Sequence, residues 1–178
     1  MKEKKLLVFL CAGTILLLLI MRWHSGELAK SPLTKAGIVS LELAKTKSNA
    51  DAIIKEWRSN AQNLQQHAIR NTYIDFIFIL FYSLFLYAAC YTISLYQTKR
   101  LAAISRIISL LALTAGFLDV IENYLLLQML QHPFGETIPL ATFYIAAVKF
   151  LFVGIAVLWL LILLLFYFIK KITTSAKG

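Results

Sequence analysis

Four long apolar runs, at residues 6–21, 73–96, roughly 101–130 and 139–169, constrain this chain more than any other feature. About 20 helical residues, rising about 1.5 Å each, cross the roughly 30 Å hydrocarbon layer of a bilayer. The first run is at the short limit and the last is long enough to tilt. Lipid offers no partner for an open backbone, so each run is expected as a helix. Composition points the same way: 60% of the 178 residues are hydrophobic, 15% are charged and the mean hydropathy is +0.73, which leaves too little polar surface for a soluble globule. The expected fold is therefore all-α, a four-transmembrane-helix bundle with an extracytoplasmic helical segment continuous with the second span.

In detail, residues 1–22 are read as the first transmembrane helix and 23–72 as an extracytoplasmic segment with an amphipathic helix over about 49–72. Residues 73–96, 101–130 and 139–169 are the remaining spans, and 170–178 a cytoplasmic tail. The net charge of +9 would raise nucleic acid as a partner in a soluble protein. Here the membrane explains it, and no nucleic acid is expected. Lys2, Lys4, Lys5, Lys99, Arg100, Arg106, Lys170, Lys171 and Lys177 flank the spans on one side with Glu3 as the only acid, whereas the connection 131–138 holds no cation. By the positive-inside rule both termini are cytoplasmic. A basic start and an apolar stretch also describe a signal peptide, but bulky Arg22, Trp23 and His24 stand where a cleavage site needs small residues. A retained anchor is expected. Cys11 and Cys90 fit no metal or redox spacing and read as packing residues.

In the outer segment, Ile38-Val39-Ser40-Leu41-Glu42-Leu43 half alternates, so a short strand and a short helix fit equally. Ser48-Asn49-Ala50-Asp51 resembles a capping box. Ile53, Trp57, Ala61, Leu64 and Ala68 then mark one helical face, and a single helix is expected from about Asn49 to Tyr96. The Trp57 stripe either packs on its own protein or the lipid surface, or offers a docking face to a membrane-protein partner or a lid over a membrane site.

Ionisable groups within spans are expensive, and these are Asp75, Asp119, Glu122 and Lys149. In the third span Ser105, Ser109, Ala112, Gly116, Asp119 and Asn123 repeat as a heptad seam of small and polar residues. Thr142, Ala146, Lys149, Val153 and Ala156 keep the same rhythm in the fourth. Two facing seams bring Lys149 to Asp119 first and Glu122 next. Asp75 shares its face with Tyr82 and, going back by fours, with Asn71 and His67. The ligand or proton site is thus assigned to Asp75, Asp119, Glu122, Asn123 and Lys149, with His67, Arg70, Asn71, Tyr82 and Tyr124 as contributors. Three carboxylates against one lysine leave a proton-linked role open beside a register-fixing ion pair. His67, Asn71, Asp75, Asp119, Glu122 and His132 include metal-ligand types, but their spacing matches no compact motif. No metal or cofactor is expected.

The stretches Ile38-Val39-Ser40-Leu41-Glu42-Leu43-Ala44, Trp57, Asp75-Phe76-Ile77-Phe78 with Tyr82, and Gly116-Phe117-Leu118-Asp119-Val120-Ile121-Glu122-Asn123 carry a resemblance to a widespread set of uncharacterised small bacterial membrane proteins with four helices. The Gly-x-x-Asp-x-x-Glu-Asn stretch is its most distinctive part. The resemblance implies a multi-pass protein of the bacterial cytoplasmic (inner) membrane and brings no activity with it. The function expected is binding of a small or lipidic ligand, or a proton-linked step, at the buried polar site. The alternatives are a membrane enzyme working on a lipid-linked substrate by carboxylate acid/base chemistry, and a noncatalytic partner subunit that recognises another protein through its outer helix.

Overall fold

The computed structural model describes residues 2–26, 28–30, 32–60 and 63–175. Six helices follow in chain order: α1 (Lys2–Ser25), α2 (Val39–Glu42), α3 (Lys47–Ser59), α4 (Leu64–Ser94), α5 (Lys99–Gln131) and α6 (Thr137–Ser175). Two single 3-10 turns, Leu28–Lys30 and Pro32–Thr34, precede α2, and no strand occurs among the described residues. Four stretches, Lys4–Ser25, Leu64–Ser94, Lys99–Gln131 and Thr137–Phe166, are long and apolar enough to cross a membrane. Side chains such as Val8, Leu16, Leu158 and Leu165 lie more than half exposed along α1 and α6. Such a surface suits acyl chains and not water.

The long helices pack in the sequence α1 on α4, α4 on α5 and α5 on α6. Small residues make the α4–α5 contact close. All six seam positions of α5, from Ser105 to Asn123, are buried. On α6 Thr142, Ala146, Lys149 and Ala156 are buried too. A methyl group added at Gly116 would lie 2.6 Å from Ser83 Cβ and 2.9 Å from its Oγ, so only glycine admits this approach. Toward the ends of α4 and α6 that lie away from α2 and α3, Trp159 Nε1 donates to Ser105 Oγ at 2.8 Å. Ser105 in turn donates to Gln97 Oε1 at 2.7 Å, so that α6, α5 and the α4–α5 turn are tied together.

Between α1 and α4 the chain forms a cap. The undecided stretch is the one-turn helix α2, entered through Gly37 at φ +62° and braced by Thr34 Oγ1 donating to Leu28 O at 2.6 Å. Helix α3 starts earlier than the capping-box reading placed it. Its N-cap is Thr46, which accepts from Asn49 N at 3.3 Å, and not Ser48. The expected single helix from Asn49 to Tyr96 is also broken. Helix α3 ends at Ser59, Asn60 is extended, and α4 restarts after Asn63, whose φ of +51° is left-handed. Asparagine is one of the few residues that visits this region readily, so the two asparagines act as the breaker. The helix that continues into the second span therefore begins at Leu64. Arg58 Nε donates to Gln65 Oε1 at 2.9 Å across the break.

The Trp57 stripe folds inward. Trp57 is 0% exposed and shares a core with Leu28, Leu41, Ile53, Leu64, Ala68, Leu126, Met129 and Leu130. Of the two readings of the stripe, the structure takes the packing one: Trp57 is spent on fixing the cap over the ends of α4 and α5. A second core, including Ile79, Leu86, Ile108 and Ala112, lies deeper among the long helices. Helix α6 continues past the expected end at residue 169 to Ser175; residues 176–178 of the expected tail lie outside the described residues.

Gly116→Ala is expected to lower stability by about 1–3 kcal/mol, the range for overpacking a tight contact. Adding Ser83→Gly should recover most of the loss. Unfolding of the single and double variants in mixed micelles checks this, and an unrelieved double variant would mean that Ser83 is not the obstacle.

Candidate functional site

Lys149, from the middle of α6, is the centre of the polar cluster, and it is buried. Its Nζ lies 2.6 Å from Asp119 Oδ1 and 2.8 Å from Glu122 Oε2. Asp119 and Glu122 are one turn apart on α5, so both face α6 from the same seam. Tyr82 of α4 donates its phenolic proton to Asp119 Oδ2 at 2.7 Å. Asn123 Nδ2 donates to Asp75 Oδ2 at 2.8 Å. All five residues expected as the site thus come together, joined by Tyr82.

A fifth ionisable group completes the cluster. Glu42, on α2 of the cap, is buried and places Oε2 3.7 Å from Lys149 Nζ. Glu122, with Oε2 2.8 Å from the same Nζ, converges on this ammonium from α5, so Lys149 gathers the two carboxyls from the cap and from the bundle. Burial raises the Glu42 pKa above the ordinary carboxylate value, against the pull of the Lys149 ammonium. The signal was in the sequence: an acid inside the apolar run Ile38–Ala44, within a stretch the family resemblance had marked. Its place in the outer segment, outside the four apolar runs, hides it from a reading of charge within the spans.

Other contributors divide. Asn71 is buried on the wall of the cavity, and its Oδ1 has no hydrogen-bond partner. Arg70 is exposed, Tyr124 is 64% exposed, and half-buried His67 does not line the cavity; none of the three joins the cluster. Arg70 lies on the exposed side of α4 and Tyr124 on the exposed side of α5, whereas His67 sits a turn before Asn71, nearer the start of α4. Among the described residues no group of three or more His, Cys, Asp and Glu side chains is arranged to hold a metal ion. The lysine ammonium takes the central place to which the carboxylates converge.

The cluster stands at the junction of two chambers. The upper one, about 250 Å³, lies beneath the cap and is walled by Glu42, Asn71, Asp75, Asp119, Asn123 and Lys149, with Leu18 and Met21 of α1 at its side. The lower one, about 290 Å³, is apolar apart from Thr14, Tyr82 and the shared ion pair; Phe85, Leu86, Val153 and Val157 line it. Phe78, Asp119, Lys149 and Phe150 line both, so the two chambers adjoin across these four side chains. Helices α1 and α6 flank this space.

Four apolar helices around a buried ionic cluster are the make-up of a small integral membrane protein. The chain matches no protein-family model, no curated protein and no solved structure.

Removing one partner of a buried ion pair leaves the others uncompensated, so Lys149→Met should destabilise the protein by about 3–5 kcal/mol. Tyr82→Phe, which deletes one hydrogen bond to a charged group, should lose about 1.5–3 kcal/mol. Equal losses in micellar unfolding would deny the ammonium its central role. For Glu42 the raised pKa means that the docked cap holds the proton more tightly than the unfolded chain does. Its contribution is therefore full in acid and fades as pH climbs through the raised value. Backbone hydrogen exchange over residues 38–44, corrected for intrinsic rates, should show protection that falls with pH. Glu42→Gln should remove the dependence, and protection that grew with pH would contradict the assignment.

Proposed function

We propose that this chain is an amphiphile-binding protein of a bacterial cytoplasmic membrane, with both termini inside and the cap outside. The observation that carries the reading is that two chambers, one walled in part by the ionic residues and one almost wholly apolar, adjoin at the Asp119–Lys149 pair. A head group fits among the polar walls, and a hydrocarbon tail runs down between α1 and α6 against Phe85, Val153 and Val157. Buried polar groups in a lipid setting are unfavourable unless satisfied, so a ligand that completes them is held by the same energy that would otherwise be lost. The flanking helices also present large apolar side chains outward, and a tail entering sideways from the bilayer never meets water.

A second reading draws support from one contact. Glu42 and Glu122 both converge on the Lys149 ammonium, and Glu42 reaches the upper chamber. A carboxyl holding a proton beside a bound head group is the equipment of a general acid, so acid/base chemistry on a lipid-linked substrate extends the binding role and does not replace it.

Val153→Trp fills the lower chamber from one turn beyond Lys149 and leaves every ionic residue in place. Mass spectrometry of organic extracts should find an amphiphile retained by the unsubstituted protein in lipid nanodiscs and reduced at least tenfold in the variant, with thermal stability little changed. Equal retention in both, or none in either, would count against the proposal.

A further inference from the structure

We infer that the head group accepted by the upper chamber is a protonated amine, so that the ligand is an alkylammonium amphiphile. This deepens the amphiphile reading and rests on it. Four carboxyl groups, Glu42, Asp75, Asp119 and Glu122, gather around a single ammonium. Even if any two of the four carboxyls carried protons, two negative charges would remain against the one positive charge of Lys149. The cavity is anionic at its core, and in a low-dielectric setting that excess is felt strongly.

Most of the charged and hydroxyl donors are already committed. Lys149 is engaged by Asp119 and Glu122. Tyr82 donates to Asp119, Asn123 Nδ2 to Asp75, and the Thr72 hydroxyl to Ala68 O at 2.9 Å. Two buried acceptors of the wall remain unsatisfied. Asn71 Oδ1 is buried without a partner, and Glu42 Oε2 stands 3.7 Å from the nearest ammonium, beyond a hydrogen bond. Both residues line the upper chamber. Asn71 is no part of the acidic cluster, so its unpartnered carboxamide is an independent sign of a ligand that is otherwise missing.

A phosphate or carboxylate head would meet a net negative wall with no free cation to receive it. A neutral hydroxyl could accept or donate, but it would leave the excess charge uncompensated. An ammonium supplies three N–H donors and the missing positive charge together. The apolar lower chamber excludes the simplest competitor, a bare inorganic cation, as the whole ligand, because such an ion has nothing to place there.

The test uses the full-length protein in a neutral maltoside micelle, with dodecylamine, dodecanol and dodecanoate as probes of one chain length and methylammonium and sodium ion as tail-less cations. Native mass spectrometry reads the affinities. Dodecylamine should bind at least tenfold more tightly than dodecanol or dodecanoate, and neither tail-less cation should compete at the same concentration. Asn71→Ala and Glu42→Gln should each weaken dodecylamine about tenfold, and folding of each variant is checked by its thermal transition. Tighter binding of dodecanoate or dodecanol would overturn the head-group assignment while leaving the amphiphile reading in place. Competition by methylammonium or sodium would overturn it in favour of an ion site. Binding of no alkyl probe would sink the amphiphile reading itself. Unchanged dodecylamine affinity in both variants would show that the upper chamber is not where the amine sits.

Discussion

The Lys149 ammonium is where three parts of the molecule meet. Helix α6 carries it, α5 answers with Asp119 and Glu122, and the cap brings Glu42 to the same point. Helix α4 joins through Tyr82. Desolvating one cation is unfavourable by itself, and only several anionic neighbours make its burial tolerable. Each neighbour is in turn tolerable only because the cation is there. This mutual need explains why a cluster of charge persists where apolar packing would have been simpler, and it fixes the register of three elements at once.

The two hydrophobic cores sit on either side of this cluster. The cap core, built around Trp57, Leu126, Met129 and Leu130, clamps the connecting segment over the ends of α4 and α5. The deeper core, around Ile79, Leu86 and Ile108, holds the long helices together. Neither one covers the chambers that pass between α1 and α6. The cavity is therefore a product of the fold's asymmetry: α5 packs on both α4 and α6, whereas α1 leans on α4 and leaves a side open.

Much of this was legible in the residue order, and the reasons differ from element to element. The seam of Ser105, Ser109, Ala112, Gly116, Asp119 and Asn123 identified the buried face of α5, because small side chains every three or four residues serve only close helix contact. Lys149 and its two partners on α5 followed from the cost of isolated charge in lipid. Glu42 did not follow, since nothing in a four-residue helix announces which way it turns or how deep the cap settles. The break at Asn60 and Asn63 was hidden for a related reason: the apolar spacing runs through it unchanged, and only the left-handed backbone at Asn63 reveals the interruption. Trp57 showed its stripe but not its cover, and periodicity alone never tells whether a face meets a neighbour within the chain or a stranger. Arg70 and Tyr124, close in sequence to true members of the cluster, point elsewhere because a helix turns about 100° per residue.

The relay from Trp159 through Ser105 to Gln97 has a mechanical meaning for entry into the cavity. It fastens α6 to α5 and to the α4–α5 turn at the end remote from the cap. Together with the Lys149 ion pairs nearer the cap, it pins α6 to α5 at two separated levels, so these two helices move as one body. Helix α1, packed chiefly on α4, is the wall left free to lean.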